Sequence, residues 1–162
     1  MRLARLLVVV AVVALPGGAQ EPAPATLPTF AIADQFGARV SRSDVRGPVI
    51  ILVADRAGFD GMLAWAPRLR SALPAGTRVI AVADMKGAPR LIRGMIRSRM
   101  PKDSTNRFLL DWDGALGRPI RGENRSLVAA IYAADGSRRA VRALPLNATA
   151  ALVDELAALA RP

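Results

Sequence analysis

Asp55 and Asp60, which share one short loop, are the residues of this sequence that come nearest to an acid–base pair. Two carboxylates divide such work when a common pocket raises the pKa of one above that of the other, so the loop would have to fold into a pocket. The chain has no cysteine and no histidine among its 162 residues, which excludes thiol, disulfide and imidazole chemistry by its own side chains. Ser41, Ser43 and Ser126 therefore lack the usual histidine base, and no G-x-S-x-G elbow is present to expose a nucleophile. Asp111, Asp113 and Gly114 match only the opening of a calcium loop, without its further oxygen ligands and closing glutamate. A strand-ending turn accounts for them. With neither cysteine nor histidine, no transition-metal site is expected, and no motif calls for a cofactor.

Two further groups have the right types and spacing to bind rather than react. The run Gly58-Phe59-Asp60-Gly61 precedes a helical pattern, and glycines at a helix start let an anion approach bare amides. An idle tight turn is the simpler reading, with Asp60 as a helix cap. Farther on, Arg90, Arg93 and Arg97 recur at helical spacing, joined by Lys86, Arg99, Lys102 and Arg107, and form a basic face opposite an apolar one. A formal charge of +10 adds a general attraction to anionic surfaces. The expected partner is a protein or anionic ligand, with peripheral contact to an anionic membrane surface as a further option. One tyrosine, two tryptophans and four phenylalanines give little material for stacking on bases, so nucleic acid is not expected.

The elements that must position these groups follow from the hydrophobic pattern. Residues 1–19 have the layout of a cleaved signal peptide: Arg2 and Arg5, an apolar run from Leu6 to Leu15, then Pro16, Gly17 and small residues. The run is about half of the roughly 20 residues that span a bilayer, so export to the periplasm or beyond is expected. Residues 20–28 alternate proline and alanine and read as an extended linker. The remaining 29–162 form one domain of ample size for a core. Its amino-terminal hairpin turns at Asp34-Gln35-Phe36-Gly37. Val49 to Val53 is a strand buried on both faces at the sheet centre. A helix follows with Met62, Leu63, Trp65, Ala66, Leu69 and Leu73 inward and a kink near Leu63 forced by Pro67. Arg78 to Ala83 is a second buried strand. Ala88 to Met100 is a helix with Leu91, Ile92, Met95 and Ile96 inward, and Phe108 to Leu110 a third strand. Ala115 to Ile120 makes a helical turn. Ser126 to Tyr132 and Arg138 to Leu144 pair around Ala134-Asp135-Gly136-Ser137. Asn147 can cap the last helix, a role preferred over its glycosylation sequon. Two crossovers and a late hairpin imply a mixed sheet with helices on both faces.

That order resembles the thioredoxin-like fold of the redoxin group, the peroxiredoxins and TlpA/ResA-type thiol oxidoreductases. Phe30-Ala-Ile-Ala-Asp-Gln-Phe-Gly37 is similar to the group's opening hairpin, and Ser43-Asp-Val-Arg-Gly47 to its lead into the central strand. Ser126 to Gly136 is similar to the following hairpin, and Phe108, Asp111, Gly114 and Asp135-Gly136 also resemble the YtfJ-type periplasmic branch. The resemblance implies an α/β fold, a thioredoxin-like three-layer α/β/α arrangement with a mixed central sheet and an added N-terminal β-hairpin. It also implies a redox Cys-x-x-Cys after the central strand, where a helix terminus stabilises a thiolate. Here those positions fall at Gly58 and Gly61, so Gly58, Phe59, Asp60 and Gly61 would be a vestigial active-site loop. The segment Glu123-Asn124-Arg125-Ser126 lacks the group's facing proline. Arg125 matches a peroxiredoxin arginine only loosely and reads as a solvent-exposed loop residue. An enzyme on this scaffold would need Asp55, Asp60 and Arg125, with Ser126 beside them, to converge in one pocket. The resemblance otherwise implies a non-catalytic binding or accessory module of the bacterial envelope.

Overall fold

A computed structural model describes residues 23–161; the signal-peptide reading lies outside the described residues. Strands β1 (Ala31–Ala33) and β2 (Arg39–Ser41) pair antiparallel as a separate hairpin. The main sheet contains β3 (Val49–Ala54), β4 (Arg78–Asp84), β5 (Phe108–Asp111), β6 (Leu127–Tyr132) and β7 (Arg138–Ala143) in the order β5-β4-β3-β6-β7. β3, β4 and β5 run parallel, while β6 is antiparallel to both β3 and β7. Among the described residues the helices are α1 (Phe59–Ala72), α2 (Arg93–Arg99), α3 (Gly117–Arg121) and α4 (Ala150–Ala160).

Every residue of β3 is buried, which is what an unbroken aliphatic run requires when both faces of the strand are covered. Alternation then sorts its side chains into two cores. Ile50, Leu52 and Ala54 pack with Met62, Trp65 and Leu69 of α1 and with Val153 and Leu156 of α4. Val49, Ile51 and Val53 pack on the other face with Ile120 of α3, Leu116 just before it, and Leu27, Phe30 and Val45. The result is a three-layer α/β/α domain with a mixed sheet and an added amino-terminal hairpin. The hairpin is locked to the β5 edge by buried polar groups. Asp34 accepts the amides of Phe36 and Ala38 and pairs with Arg107 at 2.6 Å, while Gln35 exchanges hydrogen bonds with the main chain of Asn106 and Phe108.

Three local expectations need correction. The chain joins the domain before Thr29: Ala23 and Leu27 are buried, and Leu27 and Ala25 bond to the main chain of the β6–β7 turn and the start of β7. The Pro/Ala stretch supplies small apolar residues and free carbonyls, which suit edge pairing as well as a linker. α1 is, as expected, one helix despite Pro67, with Trp65, Ala66 and Leu69 around the proline held in the core. The cap of α4 is Thr149, whose hydroxyl accepts the Leu152 amide, not Asn147. The predicted helix 88–100 is divided into a short 3-10 turn (Arg90–Ile92) and α2, neither of which contains a buried residue. Its period marks an amphipathic segment, but no sheet or helix covers Leu91 or Met95, which are exposed.

Candidate functional site

Parallel strands β3, β4 and β5 end together, and each delivers an aspartate to the same end of the sheet: Asp55 just after β3, Asp84 and Asp111 as register partners closing β4 and β5. The carboxyl ends of parallel strands are where α/β sheets usually hold ligands. All three carboxylates also organise main chain, and Asp84 Oδ1 accepts the Lys86 amide at 3.1 Å. Asp55 Oδ1 accepts the amides of Ala57 (2.9 Å) and Gly58 (3.0 Å) ahead of α1. Asp111 is 2% exposed and accepts the amides of Ala115, Leu116 and Gly117, which sets the start of α3. Asp113 contributes no bond to that turn and lies exposed, 3.8 Å from Arg93.

Arg121, at the end of α3, is thereby brought beneath the other two. Its Nη2 donates to Asp84 Oδ2 at 2.9 Å, and its Nη1 lies 3.4 Å from Asp55 Oδ2 and donates to the carbonyl of Arg125. Arg121 is 7% exposed and Asp84 9%. A buried charge persists only when paired and hydrogen-bonded, and this ion triplet ties α3 to the ends of β3 and β4. Sequence reading missed Arg121 and Asp84. The available signal was an aspartate closing each of two aliphatic strands, and two arginines, Arg118 and Arg121, in a short helical turn.

The Gly58–Gly61 loop is closed. A Cβ on Gly58 would fall 2.0 Å from the carbonyl oxygen of Ser126 and 2.6 Å from its carbonyl carbon; on Gly61 it would fall 3.0 Å from Leu146 Cα. The Asp55 amide donates to that same Ser126 oxygen at 3.0 Å, at the entrance to β6, and Trp65 Nε1 of α1 donates to Pro145 O at 2.8 Å, just past the end of β7. The Gly58 amide, expected to be open to an anion, is occupied by Asp55, as is that of Ala57. Gly58, not Asp60, occupies the cap position of α1; Asp60 sits exposed in its first turn, where a carboxylate favours the helix dipole.

Beside the closed loop lies an open cavity of about 710 Å³ between the start of α1, the end of β4 and the segment Met85 to Pro101. Phe59, Met85, Ile92, Ile96 and Met100 supply apolar wall, and Asp55, Asp60 and Asp84 face Arg56, Lys86 and Arg99 around it. Phe59 is held edge-on to Phe108 with ring centroids 5.2 Å apart. Asp55 and Asp60 thus share a cavity, but Arg125 and Ser126 do not line it. Arg125 is half-buried rather than solvent-exposed, with its Nε shielded and without a hydrogen-bond partner; its carbonyl, not its guanidinium, reaches the cluster. Nearby, Arg118 binds Glu123 and holds that carboxyl below the ordinary carboxylate range.

The three arginines of the basic face do not act alike. Arg90 and Arg97 are exposed. Arg93 turns inward, donating to the carbonyls of Ala88 and Trp112 and stacking 5.2 Å over the Trp112 ring. Among the described residues, no group of three acidic, histidine or cysteine side chains is placed to hold a metal ion.

No protein-family model and no curated protein sequence matches the chain. Solved structures do match it. It is similar to StoA from Bacillus subtilis, with a TM-score of 0.58 and 11% identity over 85% of this chain and 100% of that one. It is similar to the bacterioferritin comigratory protein of Xanthomonas campestris, studied for alkyl peroxide reduction, with a TM-score of 0.59 and 15% identity over 85% and 95% of the two chains. A secreted disulfide oxidoreductase of Mycobacterium tuberculosis matches with a TM-score of 0.52 and 15% identity over 81% and 93%. The fold is therefore the thioredoxin-like fold of the redoxins, carried here by a chain without cysteine.

Proposed function

We propose that this chain is an exported, non-catalytic thioredoxin-like module of the bacterial envelope, which binds a protein or anionic ligand in the cavity beside its closed loop. The observation that carries this reading is the contact between Gly58 and Ser126. A redox cysteine needs a Cβ and an approachable sulfur at the start of α1, and here the main chain of the β6 entrance fills that volume. The apolar wall with charges of both signs on its rim suits recognition of a segment that is itself amphipathic. Export is supported by the layout of residues 1–19 and fits the similarity to a secreted oxidoreductase.

The test combines turnover with capture. Purified protein should neither consume peroxide nor reduce a disulfide above the reagent background. Material recovered from envelope extract should carry a bound partner that is lost in Ile96→Glu, which puts a charge into the cavity wall. Turnover above background would overturn the non-catalytic reading. A partner retained equally by Ile96→Glu would overturn the assignment of the cavity.

A further inference from the structure

From Met85 to Lys102 the chain carries six cationic residues and no aspartate or glutamate. Arg93 is withdrawn onto Trp112, which leaves Lys86, Arg90, Arg97, Arg99 and Lys102 for other contacts. The same stretch contains three of the large apolar side chains exposed among the described residues: Leu91 at 99%, Ile92 at 37% and Met95 at 47%. Neither the 3-10 turn nor α2 buries any residue, and of the three only Ile92 lines the cavity. The segment is held to the domain through Arg93 and through Ile92, Ile96 and Met100 along the cavity, so Leu91 and Met95 are carried outward on a tethered support.

We infer that this segment is a contact surface for an anionic lipid bilayer, with Leu91 and Met95 entering the interface and Arg90, Arg97 and Lys102 set against headgroup phosphates. Shape and charge both favour a bilayer over a protein partner. The apolar side chains protrude singly instead of lining a recess, and a cation stands next to each of them in the sequence or one helical turn away. Apolar insertion and electrostatic attraction are each weak for so short a segment, and their combination is what gives interfacial binding. The inference rests on the envelope location proposed above, where such surfaces are available, but not on the cavity having an occupant.

The full chain has no native cysteine, so Leu91→Cys can be labelled uniquely with an environment-sensitive fluorophore. Ala134→Cys, in the exposed turn between β6 and β7 at the opposite end of the sheet, serves as the control. This readout separates insertion at position 91 from any tethering by residues 1–19. With phosphatidylcholine vesicles containing about 30% phosphatidylglycerol, the label at 91 should shift to the blue and the label at 134 should not. The shift should vanish on pure phosphatidylcholine and weaken between about 0.1 M and 0.5 M salt. Adding Arg90→Glu and Arg97→Glu should lower vesicle affinity by roughly tenfold or more. No shift at 91, equal shifts at both positions, or a shift unaffected by charge reversal would overturn the inference. A shift produced by envelope proteins but not by vesicles would make this a protein-docking face and would also overturn it. Vesicle insertion by a protein that fractionates with the cytoplasm would instead contradict the envelope reading and leave the surface standing.

Discussion

The α-carbon of Gly58 faces the main-chain carbonyl of Ser126 so closely that a Cβ would lie 2.0 Å from its oxygen. Glycine is required here by space and not by backbone conformation, because Gly58 has ordinary helical angles (φ −87°, ψ −6°). The closed loop is thus a packed junction between α1 and β6, with the Asp55 and Ser126 main chains bonded across it.

Gly58→Ala should be strongly destabilising, since the obstructing atoms belong to the backbone and cannot rotate away. Overpacking of this kind costs about 1–3 kcal/mol, which is roughly 2–10 °C in melting temperature for a domain of this size. Thermal unfolding by circular dichroism checks it. Gly58→Cys with Gly61→Cys should be destabilised as well and should not acquire reductase activity; a stable, active double variant would refute the packing argument.

Removing Arg121 should strongly destabilise the fold, because this buried guanidinium joins α3 to the ends of β3 and β4. Arg121→Met strands Asp84 without its buried counter-charge, and breaking such a pair costs about 3–5 kcal/mol. Combining it with Asp84→Leu should recover part of the loss, because no uncompensated charge remains. Urea unfolding of the two variants and the native chain measures the recovery.

Tyr132 is the chain's one tyrosine, and burial pushes its phenol up to about 12. In the unfolded chain it ionises near the ordinary value of 10.0. The folded state therefore holds the proton longer, and the stability tied to it is complete below pH 10 and declines as pH rises toward 12. Absorbance at 295 nm should show no phenolate near pH 10 in the folded protein. Tyr132→Phe should flatten the alkaline decline.

The cap of α4 offers a direct comparison of two residues. Thr149→Ala should cost about 0.5–2 kcal/mol, whereas Asn147→Ala should be nearly neutral, because Thr149 Oγ1 is the group that accepts the Leu152 amide.

Most of the fold could be read because the signals were local. The aliphatic run of β3, the turn at Asp34 to Gly37 and the hairpin at Asp135-Gly136 each specify their element within a few residues. The site was less legible because its pairings are long-range: Arg121 meets Asp84 and Asp55 only after two crossovers have formed. Periodicity misled at Leu91 and Met95 for a related reason. A period of three and four shows that a segment is amphipathic, but says nothing about what covers its apolar side. Arg125 stands in a polar run, Glu123 to Ser126, yet is half-buried, and its carbonyl accepts from Arg121 of α3.

The cavity at the carboxyl ends of β3 and β4 is where this cysteine-free domain should meet its partner. A photo-crosslinking amino acid at Phe59, inside the cavity, and a second at Ala134, at the far end of the sheet, test this in intact cells. A discrete adduct from position 59 that is missing from position 134 is the predicted result. Equal labelling from both positions, or none from position 59 while the native protein still co-purifies with a partner, would contradict it.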